Sequence, residues 1–104
     1  MPKVLVIGGN AAGMTAAGRA RRLDPGLEVT VLERGPHVSS SVCGTPYFIS
    51  GDVPRAESLI RYSPEAFQER RGARVLTGVA AEKLELSRRR VVAREVETGR
   101  EIAF

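Results

Sequence analysis

The run Lys3-Val4-Leu5-Val6-Ile7 leads directly into Gly8-Gly9-Asn10-Ala11-Ala12-Gly13, and this junction constrains the fold more than any other feature of the chain. A short continuous apolar run suits a strand buried on both faces. The glycine-rich hexad cannot be a strand interior, so a tight turn is expected there. From Ala11 to Leu23 the residues recur at helical spacing, with Ala12, Ala16, Ala20 and Leu23 expected on one stripe, and Asp24-Pro25-Gly26 stops the helix. Leu27 to Glu33, LEVTVLE, is β-branched and alternating, which predicts a second strand. The unit is strand, glycine-rich turn, helix, strand.

A turn of this kind lets the backbone approach a pyrophosphate, while the helix start offers unpaired N–H groups and a positive dipole end. Gly8 supplies the turn and Gly13 permits close packing of helix on strand. Asn10 stands where the usual pattern has its middle glycine. Glu33 closes the second strand about 20 residues after Gly13, where an acidic side chain accepts hydrogen bonds from a ribose diol. A carboxylate there also repels a 2′-phosphate, which favours FAD or NAD over NADP. The plainer reading of the same residues is a structural turn with a solvated glutamate.

Beyond Glu33, the stretch Arg34 to Pro54 is rich in Ser, Gly and Pro and reads as a loop with one short helix after Cys43. Ser63-Pro64 places an N-cap before a proline at the first helical position, opening a helix through about Arg71 that Gly72 ends. Arg74 to Thr77 is predicted as a third strand of the parallel sheet. Val79 to Leu86, Val91 to Val96, and Glu101 onward read as three antiparallel strands, joined through Ser87-to-Arg90 and the turn Glu97-Thr98-Gly99-Arg100.

Composition enters where it excludes. At 104 residues the chain makes one domain at most. No apolar run approaches the roughly 20 residues of a membrane helix. Met1-Pro2-Lys3-Val4 runs straight into the first strand without a signal peptide, so a cytoplasmic protein is expected. The net charge of +4 comes from arginines grouped at Arg19, Arg21 and Arg22, at Arg70, Arg71 and Arg74, and at Arg88 to Arg90. Solvated faces explain these groups better than nucleic acid does, because no aromatic stacking surface accompanies them. His37 lies in a polar loop without a second ligand nearby, and no metal site is expected.

A single cysteine cannot form an internal disulfide, so its role is packing or reactivity. Cys43 lies in Ser39-Ser40-Ser41-Val42-Cys43-Gly44-Thr45-Pro46-Tyr47, just before the predicted short helix. A helix start stabilises negative charge and gives such a cysteine thiolate character. Pro46 in the first turn costs no hydrogen bond.

Ser-x-x-x-Cys-Gly-x-Pro-Tyr, following a glycine-rich turn and a second strand that ends in glutamate, resembles the coenzyme A-disulfide reductases. These are single-cysteine pyridine nucleotide–disulfide oxidoreductases, grouped with persulfide reductases and NADH oxidases. The resemblance covers nearly the whole chain, including Thr77-Gly78 and Glu97-Thr98-Gly99. It implies an α/β fold, a partial Rossmann-like FAD-binding domain with a parallel three-stranded sheet and an antiparallel three-stranded appendage. By the same resemblance Gly8, Asn10 and Gly13, with Ala11 and Ala12 between them, meet the FAD pyrophosphate. Glu33 and Arg34 meet the adenosine, and the Ala81 backbone meets the adenine. Cys43 sits near the flavin, which NADH reduces, and its thiolate attacks a small-molecule disulfide or persulfide. Thr15, Arg19, Arg22 and Ser39 fall at coenzyme A-binding positions.

Departures from the family are also visible. Val42 stands where asparagine is common, and Arg19 replaces a frequent glutamine. Ala11 occupies the place of the histidine of NADH peroxidases and many water-forming oxidases, which argues against those activities. Tyr47 and Phe48 are expected to pack the short helix, and Arg71 is expected at a solvated helix end.

The resemblance further implies that residues 1–104 are the amino-terminal part of the FAD domain, without nicotinamide and dimerisation domains. The expectation is then no NADH-driven turnover by this chain alone, and an open apolar sheet edge that pairs with another copy in a homo-oligomer or is covered by a companion chain. Three alternatives stay open: a non-catalytic nucleotide-binding or assembly subunit, an NAD-binding Rossmann protein with an unreactive Cys43, and an arginine-based nucleic-acid binder.

Overall fold

The protein is described from a computed structural model, which covers residues 2–40, 42–60 and 62–104. The opening apolar run forms strand β1 (Lys3–Ile7), followed by helix α1 (Ala11–Leu23) and strand β2 (Glu28–Glu33). A 3-10 turn at Val42–Gly44 leads into the short helix α2 (Thr45–Ser50), and a second at Ala56–Leu59 precedes helix α3 (Pro64–Arg71). Strand β3 (Arg74–Thr77) completes a parallel sheet in the order β1-β2-β3. Strands β4 (Val79–Glu85), β5 (Arg90–Glu95) and β6 (Glu101–Ala103) form an antiparallel sheet.

Strand β2 is central and shows why the molecule has three layers. Val29 and Val31 point to one face, where they pack with Met14 and Ala17 of α1 and Phe67 of α3. Leu32 points to the other, where it packs with Val79 of β4 and Ala93 of β5. Val29, Val31 and Leu32 are at most 2% exposed. Each such side chain contributes roughly 1.5–3 kcal/mol over its exposed state. The neighbours alternate in the same way: Val6 and Val75 face the helices, Leu5 and Leu76 the antiparallel sheet.

Helix α3 starts where its sequence signal lies. The Ser63 hydroxyl accepts the Ala66 N–H at 3.1 Å, Pro64 occupies the first turn, and Gly72 closes the helix. The Arg21 Nε donates to the Gly72 carbonyl at 3.1 Å, an exposed bond that ties α1 to the end of α3. In the β5–β6 hairpin, Thr98 and Arg100 both bond the Glu95 carboxylate. The Thr98 hydroxyl first, and then the Arg100 guanidinium, hold Glu95 below the usual carboxylate range.

Two expectations need correction. The buried face of α1 is Met14 and Ala17 with Ala20 beside them, whereas Ala12, Ala16 and Leu23 are exposed. Gly13 sets this rotation, because the helix approaches β1 and the turn through that residue (below). Tyr47 and Phe48 do not pack into a core: they are 58% and 38% exposed, and α2 contains no buried residue. Strand β4 also carries a bulge between Ala81 and Lys83, which aims Glu82 at Arg94, 3.0 Å away. The β1 edge is open, with Val4 38% and Ile7 52% exposed.

Candidate functional site

Two groups of residues converge at the carboxyl ends of β1 and β2, where ligands of open parallel sheets bind. The first is the turn. Gly8 takes φ +106, a conformation that side-chain-bearing residues avoid, and its N–H donates to the Leu32 carbonyl at 2.8 Å. Gly13 lies against the same turn so closely that a Cβ there would come 1.8 Å from the Gly8 carbonyl oxygen. Only glycine fits, as the sequence implied.

The helix start is open. The first internal bond of α1 runs from the Met14 N–H to the Asn10 carbonyl at 2.9 Å. Among the described residues the N–H groups of Ala11, Ala12 and Gly13 have no protein acceptor, and the first turn holds no acidic residue. These are the donors a diphosphate needs.

Glu33 sits at the end of β2 beside that turn. Its Oε1 accepts the Gly9 N–H at 2.9 Å and its Oε2 accepts the Gly35 N–H at 2.7 Å. Each oxygen retains a lone pair, so the carboxylate is oriented and still able to accept from a ribose diol. The first group therefore fits a dinucleotide: a glycine cradle that a Cβ would fill, free amides, and an aligned carboxylate.

The second group lines a cleft of about 560 Å³ along α1. Ala11, Thr15, Arg19 and Arg22 come from the exposed side of the helix, Ser39 from the loop after β2, and Cys43 from the 3-10 turn. Met14, Phe67 and Tyr62 form its apolar floor. No acidic residue lines it, and Arg19, Arg22 and Arg71 have no ion pair among the described residues. Its size suits a small molecule, and its lining suits one with anionic groups and an apolar stretch. Cys43 is an exposed free thiol.

The structure thus brings Cys43 together with all four candidate substrate residues, and Ala11 belongs to both groups. Arg71, read from sequence as a solvated helix end, also lines the cleft. The clue available was its place at the end of a helix packed beside α1, which the sequence alone did not reveal. Two candidates lie apart. Ala81 is half-buried in β4 beside the second core cluster. Arg34 is exposed and makes no side-chain bond among the described residues. No group of metal-binding side chains occurs among the described residues, and no described helix is long and apolar enough to cross a membrane.

Comparison with known proteins gives a consistent picture. A family model described as pyridine nucleotide-disulphide oxidoreductase matches residues 2–104. An NAD(P)H sulfur oxidoreductase (CoA-dependent) of Pyrococcus abyssi is 48% identical over 69 residues, which are 66% of this chain and 15% of that protein. The crystal structure of reduced CoADR-RHD from Bacillus anthracis superposes with a TM-score of 0.93 at 28% identity, covering 97% of this chain and 18% of that one. A NAD-dependent persulfide reductase from A. fulgidus superposes with a TM-score of 0.91 at 36% identity, covering 98% of this chain and 19% of that one. The chain therefore spans less than a fifth of the length of each of these proteins.

Proposed function

The chain belongs to the pyridine nucleotide-disulphide oxidoreductase family, and on that premise we propose that it is the FAD-binding, amino-terminal part of a reductase of small disulfides or persulfides, acting through Cys43. The observation that carries the reading is a single cleft: the only cysteine of the chain lines it together with Thr15, Arg19, Arg22 and Ser39, and the helix that supplies three of these starts at the glycine turn.

The chemistry follows from the residues. The α1 amides of Ala11, Ala12 and Gly13 hold the FAD diphosphate, and Glu33 holds the ribose of its adenosine. Arg34 and the Ala81 backbone bound the adenosine end. In the cleft, Arg19, Arg22 and Arg71 take the phosphates of a coenzyme A-like substrate, while Thr15 and Ser39 hydroxyls hydrogen-bond its polar body. The Cys43 thiolate attacks one sulfur of the substrate disulfide. A new Cys43–substrate disulfide forms, the original S–S bond breaks, and the second half leaves as a thiolate. Bound FAD, reduced by NADH, would supply the two electrons that break this mixed disulfide, so that the held half leaves as a thiol and Cys43 returns to the thiolate. The open β1 edge, with Val4 and Ile7, seats a second copy or a companion chain.

Arg19 and Val42 tune this cleft. Compared with the glutamine and asparagine common in the coenzyme A-disulfide reductases, they make it more cationic and less polar, favouring anionic disulfides with an apolar segment.

The test is capture of a half-substrate. Incubated with coenzyme A disulfide, the chain should gain one coenzyme A half by mass, mapped to Cys43 and absent from Cys43→Ser. Alanine at Arg19, Arg22 or Arg71 should slow this capture while sparing capture of a small neutral disulfide. No adduct at Cys43 would overturn the reading.

A further inference from the structure

Asn10 departs from the usual glycine at the middle of the turn, and its surroundings give that departure a purpose. An asparagine at a helix N-cap ordinarily folds back to accept an N–H of its own first turn. Asn10 does not cap α1. Its Oδ1 instead accepts the Ser40 N–H at 3.0 Å, from the loop that reaches Cys43 three residues later. Its two Nδ2 protons have no acceptor among the described residues.

That bond is one of a short series fastening the cysteine loop to the turn. Val38 is 1% exposed and packs onto Gly9. The Ser39 N–H donates to the Gly9 carbonyl at 2.8 Å, while within the loop itself the Val42 N–H donates to the Ser40 carbonyl at 3.0 Å. Ser39 takes φ +55, a left-handed conformation costly for a residue with a side chain, which the surrounding bonds must hold in place. Among the described residues, Asn10 provides the only side-chain hydrogen bond of the series.

We propose that Asn10 is a positioning residue for Cys43. By accepting the Ser40 N–H it holds the cysteine loop against the start of α1, and by leaving its own helix uncapped it keeps the first-turn amides open to a diphosphate. The second half of this inference rests on the FAD reading above; the first half stands on the hydrogen bond alone. A serine or threonine at this position would take up one of those amides and release the loop.

The experiment reads the alkylation rate of Cys43 by iodoacetamide without ligand, the exchange rate of the Ser40 amide, and the binding of FAD and of ADP. Loss of one ordinary hydrogen bond corresponds to about threefold to tenfold in an equilibrium. Asn10→Ala should raise both rates by that factor. Asn10→Asp keeps the acceptor, so it should restore both rates to the wild-type values while weakening FAD binding through its charge. Asn10→Ser, which caps the helix and protects the fold, should raise both rates and weaken FAD binding. Thr98→Ala, which removes a hydrogen bond to Glu95 in the β5–β6 hairpin, should lower the melting temperature and leave Cys43 unchanged. Wild-type rates in Asn10→Ala and Asn10→Ser, no restoration by Asn10→Asp, or an equal change in Thr98→Ala would each overturn the proposal. Wild-type protein that binds neither FAD nor ADP would overturn the cofactor reading and leave the alkylation and exchange results to decide the role of Asn10.

Discussion

From β1 to the end of β2 the chain is anchored on two sides, with Val31 and Leu32 of the same strand buried in opposite clusters. Among residues 42–59, which carry Cys43 and α2, no described side chain is buried, and Ile49 is 79% exposed. Both regions meet at one cleft, yet one is set by close packing and the other by a few hydrogen bonds. The turn is therefore preformed, as an electrostatic cradle must be if its dipoles are to be aligned before the ligand arrives. The cysteine arm is drawn from the less stable end of the molecule, where segments open without global unfolding. Under the proposed function, a thiol that meets a substrate and then an electron donor is suited to that end.

The largest expected effect lies at Gly13. Its Cβ would meet backbone 1.8 Å away rather than a yielding side chain, so Gly13→Ala should cost about 3 kcal/mol, the upper part of the overpacking range, in urea unfolding. FAD binding should be lost with it. Leu32→Ala, which empties a site only 1% exposed, should also cost about 3 kcal/mol by the same measurement. Glu33→Ala removes the carboxylate that two backbone amides share. It should cost about 2 kcal/mol, since bonds to a charged acceptor are stronger than neutral ones and the site is half-exposed. FAD affinity should fall further than stability does.

The smallest stability effects belong to the arm. Cys43→Ser and Ile49→Ser should each stay within about 0.5 kcal/mol of wild type, although Cys43→Ser abolishes mixed-disulfide formation. Hydrogen exchange sharpens the contrast: amides of α2 should exchange well before those of β2. If Ile49→Ser destabilised as much as Leu32→Ala, or α2 amides were protected like those of β2, the two regions would not differ as described.

The sequence displayed the anchored region well. KVLVI, the glycine turn, the alternating LEVTVLE and the Ser63-Pro64 start each encode their element through nearest neighbours, and all appear where expected to within a residue or so. What was hidden depended on distant contacts. The stripe expected on α1 followed hydrophobic spacing, whereas the actual rotation is set by Gly13 meeting Gly8 across the turn. Arg71 joins the cleft because α3 packs beside α1, and Arg21 bonds the Gly72 carbonyl across the same contact. Tyr47 and Phe48 have the composition of a packed helix, but the described residues bury neither of them. For the site, residue types and spacing picked out the glycine turn and the cysteine. That Thr15, Arg19, Arg22 and Ser39 share one cleft with Cys43 required the fold.

The most direct measurement is equilibrium titration of the chain with FAD, followed by flavin fluorescence, with ADP as competitor. Saturable binding of one FAD per chain, displaced by ADP and lost in Gly13→Ala, is the predicted result. Flavin emission that stays unchanged across the titration, in a chain that unfolds cooperatively, would contradict the claim that the start of α1 is a dinucleotide cradle.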